Sequence, residues 1–488
     1  MQFVGISCLA HDAALAVLRD DQIVFAAHSE RYSRRKNDPY LNGALLADAM
    51  QHVDNVERIV YYERPLLRKL RQVRAGQFGR ALSTTPTRYL QRFPPLRGRP
   101  VRVTSHHHAH AAGAYYTSPF RDAAVVVVDA VGEWETLTVW HGTGRRLKKV
   151  HSVWYPHSLG LLYSAFTQRA GLKPNEEEYI LMGMAAYGEP RHRALIESEL
   201  LRPADPPNVA LRRSLHRGLG DWHPEITDLA DLAASVQVVL EEHLFGLFHW
   251  VAKNVGSKNL VYTGGVALNC LFNGKLAERG LFDDLWIPPN PGDAGSAIGA
   301  LLADHGDFVS WPGPYLGYDI NRTVDPAEVA RELATTGIVG LANRRAEYGP
   351  RALGNRSLLA DPRGPDIKDR VNEIKRRQRY RPFAPMVRAE RAHEFFEMPV
   401  RDAPYMQFVV RCRDPQSYPA ICHVDGTSRV QTLRREQNPR MYQILVEFER
   451  LTGCPMVLNT SLNIRGEPLV NDWSDATDFA RRYGVPVY

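Results

Sequence analysis

One pattern of elements occurs twice in the N-terminal part of the chain, and it constrains the fold more than any other feature. The first copy has a strand, an acidic turn and the two strands of a hairpin at residues 3–7, His11-Asp12, 15–18 and 23–27. The second copy has the same elements in the same order at residues 123–129, Gly132-Glu133, 136–140 and 150–154. Ligands of α/β sheets bind at the carboxyl ends of strands, where both acidic turns fall. The repeat therefore predicts an α/β chain with two related halves and a ligand site near these turns.

A strand, an acidic turn and a hairpin in this order resemble the start of a ribonuclease-H-like domain. Two such halves form the actin/hexokinase-type ATPase fold. The middle third is predicted to be mostly helical, because apolar residues recur three and four apart between residues 228 and 254. A chain of 488 residues is long enough for two domains or more. The sequence WPGPYLGY at residues 311–318 predicts a domain boundary.

Two histidines and two aspartates form a candidate metal site. His106 and His110 lie four apart in the Ala-rich segment SHHHAHAA, which favours a helix with both imidazoles on one face. Asp129 ends an apolar run typical of a buried strand, and Asp293 lies in a Gly-rich loop before a helix. Imidazoles and carboxylates suit divalent Fe, Mn or Zn. The alternatives are a polar helix end for the histidines and a helix N-cap for Asp293.

Glycines and arginines elsewhere indicate anion binding. A strand that runs into Gly264-Gly265 and Asn269 lets backbone N–H groups approach a phosphate, although the same glycines also suit a tight turn. Beyond residue 318, arginines and a lysine cluster near Gly, Ser and Thr, as phosphate recognition requires, and they include Arg344, Arg345, Arg351, Arg356, Lys375, Arg376, Arg377, Arg379, Arg381, Arg429 and Arg465. Residues 64–102 form a second basic stretch, which is either a solvated surface or a phosphate-tracking one.

The cysteines and the N-terminal sequence indicate in which cellular compartment the protein is expected. The five cysteines are scattered and form no CxxC pair, which argues for a reducing compartment and against a thiolate zinc site. No leader-like start and no apolar run of membrane-spanning length is visible in the sequence. We therefore expect a cytoplasmic protein without a membrane partner.

Many short segments resemble, in order, the NodU/CmcH family of O-carbamoyltransferases. They are GIS…HD at 5–12, ERYSR at 30–34, the His106/His110 motif, D…GEW at 129–134, SLG at 158–160, MG…YG at 182–188, TGGVALN at 263–269, PGDAG at 291–295, GPRALGNRS at 349–357, RPFAP at 381–385, HVDGT at 423–427 and LNTSLN at 458–463. Two residues depart from the family pattern: Ala130 lies where the family usually has Gly, and Ile180 lies where it often has Lys. The resemblance spans nearly the whole chain.

This resemblance implies a TsaD-like carbamoyl-transfer domain at residues 1–318 and a YrdC-like domain at residues 319–488. In such enzymes the YrdC-like domain uses carbamoyl phosphate, ATP and Mg²⁺ to make a carbamoyl-adenylate. The adenylate then meets an acceptor hydroxyl at the metal site of the TsaD-like domain. By resemblance the metal is iron, with Mn or Zn as alternatives, and its ligands are His106, His110, Asp129 and Asp293.

The remaining site residues follow from the same resemblance together with the residue chemistry. Candidates for catalysis are His11 or Asp12 as the base that activates the hydroxyl, and Lys375, Arg381 and Arg429 in adenylate formation. Candidates for nucleotide or phosphate binding are Gly132, Glu133, Gly264, Gly265, Asn269, Arg351, Ser461, Asn463 and Arg465. A polar turn is the alternative for the His11-Asp12 pair.

The acceptor is less constrained than the chemistry. Family members act on aminoglycosides, cephems, lipo-chitooligosaccharides and hydroxymethylated pyrimidines in DNA. The excess of basic over acidic residues favours the hydroxymethyl group of 5-hydroxymethylcytosine in DNA, which would have to be flipped out of a duplex. A small hydroxylated antibiotic or sugar is the alternative. A non-transferring actin-like ATPase and a nucleic-acid-binding module are further alternatives, and a homodimer is one expectation for the oligomeric state.

Overall fold

The computed structural model describes residues 1–378, 381 and 383–488, except for the side chain of Arg80. Arg379 of the basic run and Pro382 of the RPFAP segment lie outside the described residues. The fold is mixed α/β and contains several separate sheets.

The first sheet contains the first copy of the predicted repeat. Its strands are β1 (Gln2–Ser7), β2 (Ala14–Arg19), β3 (Gln22–His28), β4 (Arg58–Tyr61) and β5 (Val101–Val103), in the order β3-β2-β1-β4-β5. The pairs β1/β4 and β4/β5 are parallel. Asp20 and Asp21 join β2 to β3 with positive φ angles of 47° and 62°, a conformation that Asp tolerates in tight hairpins.

The second sheet contains the second copy. Its strands are β6 (Asp122–Gly132), β7 (Glu135–Thr143), β8 (Arg146–Trp154), β11 (Asn259–Thr263) and β12 (Asp284–Trp286), while β9 (Leu201–Arg202) and β10 (Ala210–Leu211) pair separately. The sheet order is β12-β11-β6-β7-β8, so the five strands follow the same order as in the first sheet. The predicted strands and hairpins are confirmed in both copies. The central run at residues 123–128 is fully buried, as expected for Ala and β-branched Val between two covered faces.

Helices connect and cover these strands. They are α1 (Ser29–Ser33), α2 (Gly43–Met50), α3 (Pro65–Arg74), α4 (Phe78–Ala81), α5 (Pro86–Leu90), α6 (His106–Tyr116), α7 (Leu159–Arg169), α8 (Glu178–Met184), α9 (Arg193–Leu200), α10 (Leu229–Asn254), α11 (Cys270–Glu278) and α12 (Ser296–His305). The helix predicted from the apolar spacing is α10, and Asp228 caps it by accepting from Ala230 N and Asp231 N. Helix α6 contains the predicted histidine pair.

The C-terminal part has its own sheets. Its strands are β13 (Tyr315–Ile320), β14 (Ile338–Ala342), β15 (Arg344–Glu347), β16 (Arg356–Ala360), β17 (Ala384–Arg388), β18 (Phe396–Glu397), β19 (Val409–Cys412), β20 (Thr427–Arg429), β21 (Gln431–Leu433) and β22 (Met456–Ser461). Its helices are α13 (Pro326–Thr336), α14 (Ile367–Ile374), α15 (Ala392–Phe395), α16 (Pro439–Thr452) and α17 (Trp473–Tyr483). The five-stranded sheet has the order β14-β16-β22-β17-β21, and a three-stranded sheet has the order β18-β19-β20.

The chain divides into two compact units. The first comprises Met1–Leu9, Leu15–Ile23 and His52–Ser310, and the second comprises Ala10–Ala14, Val24–Gln51 and Trp311–Tyr488. The last segment of the second unit thus begins inside the region where a boundary is predicted. The inclusion of two N-terminal segments in that unit has no counterpart in the sequence analysis. The assignment of residues 1–318 and 319–488 to TsaD-like and YrdC-like domains stays a prediction.

Candidate metal centre

Helix α6 presents His106 and His110 from its buried face. The helix is rich in alanine, and its Gly113 lies against Gly299 of α12, so the two helices approach at backbone distance. A Cβ built on Gly113 would lie 2.9 Å from Gly299 Cα, which excludes any side chain there. His106 and His110 are 2 % and 3 % exposed. The four-residue spacing therefore places both rings in the interior of the first unit, one turn apart.

Asp129 and Asp293 reach the same point from the sheet and from the start of the helix that follows. Asp129 lies in β6, where the backbone leaves regular pairing between Val128 and Gly132. Its Oδ1 accepts a hydrogen bond from Ala130 N at 2.8 Å, which leaves Oδ2 facing the histidines. Asp293 opens a 3₁₀ turn that leads into α12. The structure thus brings together all four residues that the sequence predicts as metal ligands.

The four ligand atoms are spaced as the ligands of one ion would be. His106 Nε2 lies 3.3 Å from Asp129 Oδ2, 3.3 Å from Asp293 Oδ1 and 3.2 Å from His110 Nε2. His110 Nε2 lies 3.4 Å from Asp129 Oδ2 and 3.3 Å from Asp293 Oδ1. These five separations are 3.2–3.4 Å, and all four atoms lie within 4.8 Å of one another. Two ligand atoms that each lie about 2.0 Å from one ion, at a tetrahedral angle, are about 3.3 Å apart. The residues therefore fit a divalent transition metal, and ligation itself stays a prediction.

The charges around this point are strongly coupled. Burial by itself would lower the pKa of His106, but the carboxylates of Asp293 and Asp129 outweigh it and raise that pKa well above its usual value. Burial is likewise outweighed at His110, whose pKa is raised by Asp129 and Asp293. Burial and the Asp293 charge would raise the pKa of Asp129, but its hydrogen bonds to both histidines lower it. Asp129 is thus an ionised carboxylate buried beside two imidazoles, and a bound cation would neutralise its charge.

Glycines adapt the backbone to these ligands. Gly264 has a φ of 92°, and a Cβ on it would lie 2.2 Å from Val128 O, so the Gly264-Gly265 turn passes directly beside β6. A Cβ on Gly265 would lie 3.0 Å from Asp129 Oδ1. Asn269 follows, where it caps α11 by accepting from Phe272 N and exchanges hydrogen bonds with Gln237. The role of this turn in nucleotide binding stays a prediction. Its close approach to Val128 and Asp129 shows that it packs against the metal centre.

Gly132 and Glu133 contact the same helix. A Cβ on Gly132 would lie 2.1 Å from His106 Cδ2, so the ring occupies the space that a side chain would need. Glu133 Oε1 accepts from His106 N at 3.3 Å and from Arg64 N at 2.6 Å, and Oε2 accepts from the Arg64 guanidinium. Glu133 thus satisfies a donor at the N-terminus of α6. The sequence analysis missed this arrangement, and the nucleotide role of both residues stays a prediction.

Lys375, Ser461 and Asn463 form a second group in the second unit. The buried Lys375 Nζ donates to Ser461 O at 2.5 Å, to Ser461 Oγ at 2.9 Å and to Asn463 Oδ1 at 2.8 Å. Arg465 N donates to the Lys375 backbone carbonyl at 3.0 Å. Burial and the charges of Arg377, Arg381 and Lys36 hold the pKa of Lys375 well below its usual value. The positive charges that act on Lys375 favour a bound anion here, as the sequence predicts for Lys375, Arg377 and Arg381.

The other predicted residues of this unit lie on different elements. Arg429 ends β20, in the three-stranded sheet, and Arg351 lies in the loop between β15 and β16. His11 Nδ1 lies 3.1 Å from Asp12 Oδ2, and Asp12 has a φ of 50°. Burial would raise the pKa of Asp12, but the hydrogen bond with His11 lowers it, so the carboxylate is ionised. Its role as a base stays a prediction.

Two arginines of the predicted phosphate cluster bind protein backbone instead. Arg356 is fully buried, and its guanidinium donates to the carbonyls of Tyr318, Asn343, Arg344, Asn355 and Asn471. Arg345 donates to Val24 O, Leu316 O and Gly317 O. Both side chains stabilise the second unit through carbonyls from separate segments.

The basic stretch at residues 64–102 is less open than its composition suggests. Arg68 pairs with Glu63, and Arg102 with Asp304. Arg71 is 7 % exposed, and it therefore does not lie on a solvated face. Arg74, Arg88 and Arg97 are exposed.

Among the helices of the described residues, none combines the length and the apolar composition that a membrane span requires.

Comparisons with known proteins agree with these motifs. Residues 77–302 match the family model of the carbamoyltransferase N-terminus, and residues 330–487 match that of the carbamoyltransferase C-terminus. An uncharacterized protein of Synechocystis sp. is 36% identical over 97% of this chain and 93% of its own length. Nodulation protein NolNO of Sinorhizobium fredii is 34% identical over 96% of this chain and 76% of its own. The 3'-hydroxymethylcephem-O-carbamoyltransferase of Amycolatopsis lactamdurans is 31% identical over 97% and 95%. The chain therefore belongs to the NodU/CmcH family of carbamoyltransferases.

Proposed function

We propose that this protein transfers the carbamoyl group of carbamoyl phosphate to the hydroxyl of a small molecule, through a carbamoyl-adenylate made with ATP. The observation that carries the proposal is the convergence of His106, His110, Asp129 and Asp293 within a chain whose two parts both match carbamoyltransferase models. A nucleotide-binding fold without transfer chemistry would not need two buried histidines and two aspartates around one point.

The first half-reaction is assigned to the second unit, and it converts carbamoyl phosphate, ATP and water into carbamoyl-adenylate, phosphate and pyrophosphate. Lys375, held by Ser461 and Asn463, and the nearby Arg381 offer positive charge to phosphate oxygens. Arg429, Arg351 and Arg465 are proposed as further contacts to carbamoyl phosphate or ATP, with Mg²⁺ as the accompanying cation. Burial is the main cause of the lowered Lys375 pKa, and a bound phosphate would offset the charge repulsion that adds to it.

The second half-reaction is assigned to the first unit. His106 and His110 from α6 and the two aspartates would hold the metal, for which iron is the prediction and Mn or Zn the alternatives. When bound, such an ion supplies Lewis-acid chemistry. The acceptor oxygen attacks the carbamoyl carbonyl, AMP leaves, and a base takes the hydroxyl proton. The sequence predicts Asp12 as this base; its carboxylate is ionised and bonded to His11, and residues 10–14 belong to the second unit.

The finer fold assignment is also part of the proposal. The identical strand order of the first two sheets supports a duplicated ribonuclease-H-like region of the actin/hexokinase type. The YrdC-like assignment of residues 319–488 rests on the sequence resemblance. Both assignments agree with two separate sites, one that forms the carbamoyl-adenylate and one that transfers its carbamoyl group.

A small acceptor is favoured over DNA. The cephem relative is named for transfer to a hydroxymethyl group on a small molecule. In the basic stretch, Arg68 and Arg102 are paired with carboxylates and Arg71 is buried. These contacts leave fewer cations for a phosphate backbone than the composition suggests. Transfer to 5-hydroxymethylcytosine in DNA stays a prediction and becomes one arm of the test.

The test supplies carbamoyl phosphate, ATP, Mg²⁺ and Fe²⁺ with separate acceptors. The acceptors are a panel of hydroxymethyl and sugar compounds, and duplex and single-stranded DNA containing 5-hydroxymethylcytosine. Mass spectrometry should detect the gain of one carbamoyl group on a small acceptor, with AMP formed in equal amount. Modified DNA with strongly salt-dependent binding would favour the polynucleotide acceptor. ATP hydrolysis without carbamoylation of any acceptor would favour the actin-like ATPase instead.

A further inference from the structure

His106 has a buried ring nitrogen that the metal centre does not use. Its Nε2 faces the other three ligands, while Nδ1 has no hydrogen-bond partner among the described residues. Buried polar atoms are nearly always paired, so an unpaired one at a functional site calls for an explanation. The nearest described carboxylate is Glu63, whose Oε2 lies 3.9 Å from Nδ1.

We propose that Glu63 is a positioning residue for His106, accepting a hydrogen bond from Nδ1–H when Nε2 binds the metal. A histidine ligand needs its proton on the nitrogen that faces away from the ion, and an acceptor there sets both the tautomer and the ring orientation. Closing 3.9 Å to a hydrogen bond of about 3.0 Å requires a shift of about 0.9 Å. The proposal rests on the metal centre of the proposed function.

The surroundings of Glu63 suit this role. The residue is 3 % exposed and lies two residues beyond the end of β4, which runs parallel to β1 and β5 in the first sheet. One nitrogen of the Arg68 guanidinium donates to Glu63 Oε1 and the other donates to Leu9 O at 2.6 Å, so Oε1 already has a partner. Oε2 is thereby left for Nδ1.

The ring of His106 is also confined on its faces. The Tyr62 ring lies 5.2 Å from it, centroid to centroid, and Gly132 lies close enough that a Cβ there would meet Cδ2. The main chain of His106 is held by Glu133. These contacts leave the His106 ring little room to move. A small shift that brings Nδ1 and Glu63 closer together is compatible with them.

The experiment compares metal binding by the full-length protein and three variants. Glu63→Gln keeps the size of the side chain and an acceptor for Arg68 but replaces the carboxylate. Glu135→Gln is the matched control, because Glu135 is equally buried and paired with a cation, Lys149, in the same unit. His106→Ala removes the ligand itself. Co²⁺ is the probe, and its affinity is measured by competition with a chromogenic chelator while its visible spectrum reports the ligand field.

We expect Glu63→Gln to weaken Co²⁺ binding about 10- to 100-fold and to shift the spectrum, as changes in outer-shell partners do. Glu135→Gln should bind as the wild type does, and His106→Ala should lose Co²⁺. Wild-type affinity and spectrum in Glu63→Gln, with loss in His106→Ala, would overturn the role of Glu63 alone. Retention of Co²⁺ by His106→Ala would overturn the metal centre and with it this proposal.

A second variant covers the case in which Glu63→Gln does not fold. Glu63→Asp keeps the charge but withdraws the carboxylate by one methylene, so it should weaken Co²⁺ binding in the same direction. Circular dichroism and thermal unfolding of the metal-free proteins identify which variants are folded. A folded Glu63→Asp with unchanged affinity and spectrum would count against the proposal as directly as the Gln variant.

Discussion

Replacing Gly132 with alanine should damage the metal centre although none of the four predicted ligands is substituted. The new Cβ would lie 2.1 Å from Cδ2, 2.5 Å from Cγ and 2.9 Å from Nε2 of His106. Carbon atoms in contact are about 3.5 Å apart or more, so ring or backbone must move by about 1.4 Å. That displacement is several times the tolerance of about 0.2 Å on metal–ligand distances.

The expected result is a loss of metal affinity of at least about 100-fold, beyond the range for outer-shell changes. The overpacked site should also lower the free energy of unfolding by about 1–3 kcal/mol. Co²⁺ affinity from chelator competition and denaturant unfolding of the metal-free protein measure the two effects separately.

Gly292→Ala is the matched control. Gly292 directly precedes the predicted ligand Asp293, but it has a φ of −79° and a Cβ there would have nothing within 4 Å. The control should therefore keep metal affinity and stability close to those of the wild type. If Gly132→Ala binds Co²⁺ as tightly as Gly292→Ala, the packing argument for His106 is refuted.

Three further predictions concern the two half-reactions and the effect of pH. Lys375→Ala should abolish adenylate formation but spare transfer from supplied carbamoyl-adenylate, and Asp129→Ala should do the reverse; equal loss of both half-reactions in both variants would indicate one composite site. Removing metal with a chelator should stop transfer while adenylate formation continues, measured as ATP–pyrophosphate exchange, and parallel loss of both would contradict separate sites. Burial, reinforced by the Arg31 charge, lowers the pKa of His28 to about 4. Since an unfolded histidine has a pKa of about 6.5, the unfolded state takes up the proton first, and stability is lost by up to about 3 kcal/mol as pH falls from about 6.5 to about 4. The stability advantage of the wild type over His28→Gln should shrink by that amount in urea unfolding, and a constant difference across this range would contradict the prediction.

The sequence by itself determined the parts of the site that depend on local periodicity. His106 and His110 share one helix, so their four-residue spacing already places both rings on one face. Asp129 could be placed because an apolar run of β-branched residues predicts where a buried strand lies. Asp293 was more open, since the same loop position also suits an N-cap, and its side chain joins the others only through the packing of α12 on α6.

Tertiary structure decided which polar groups face the site and which are structural. Glu63 reaches His106 because β4 lies between β1 and β5, a non-local pairing that no spacing within its own segment indicates. Arg71 and Arg356 belong to charged runs that suggest surface or phosphate contact, yet both are buried. Arg356 is buried because carbonyls from distant segments accept hydrogen bonds from its guanidinium. Without such partners, the loss of hydration would make burial of the charge strongly unfavourable. That meeting is a property of the folded chain, because partners so far apart in sequence are brought together only by the packing of the elements that hold them.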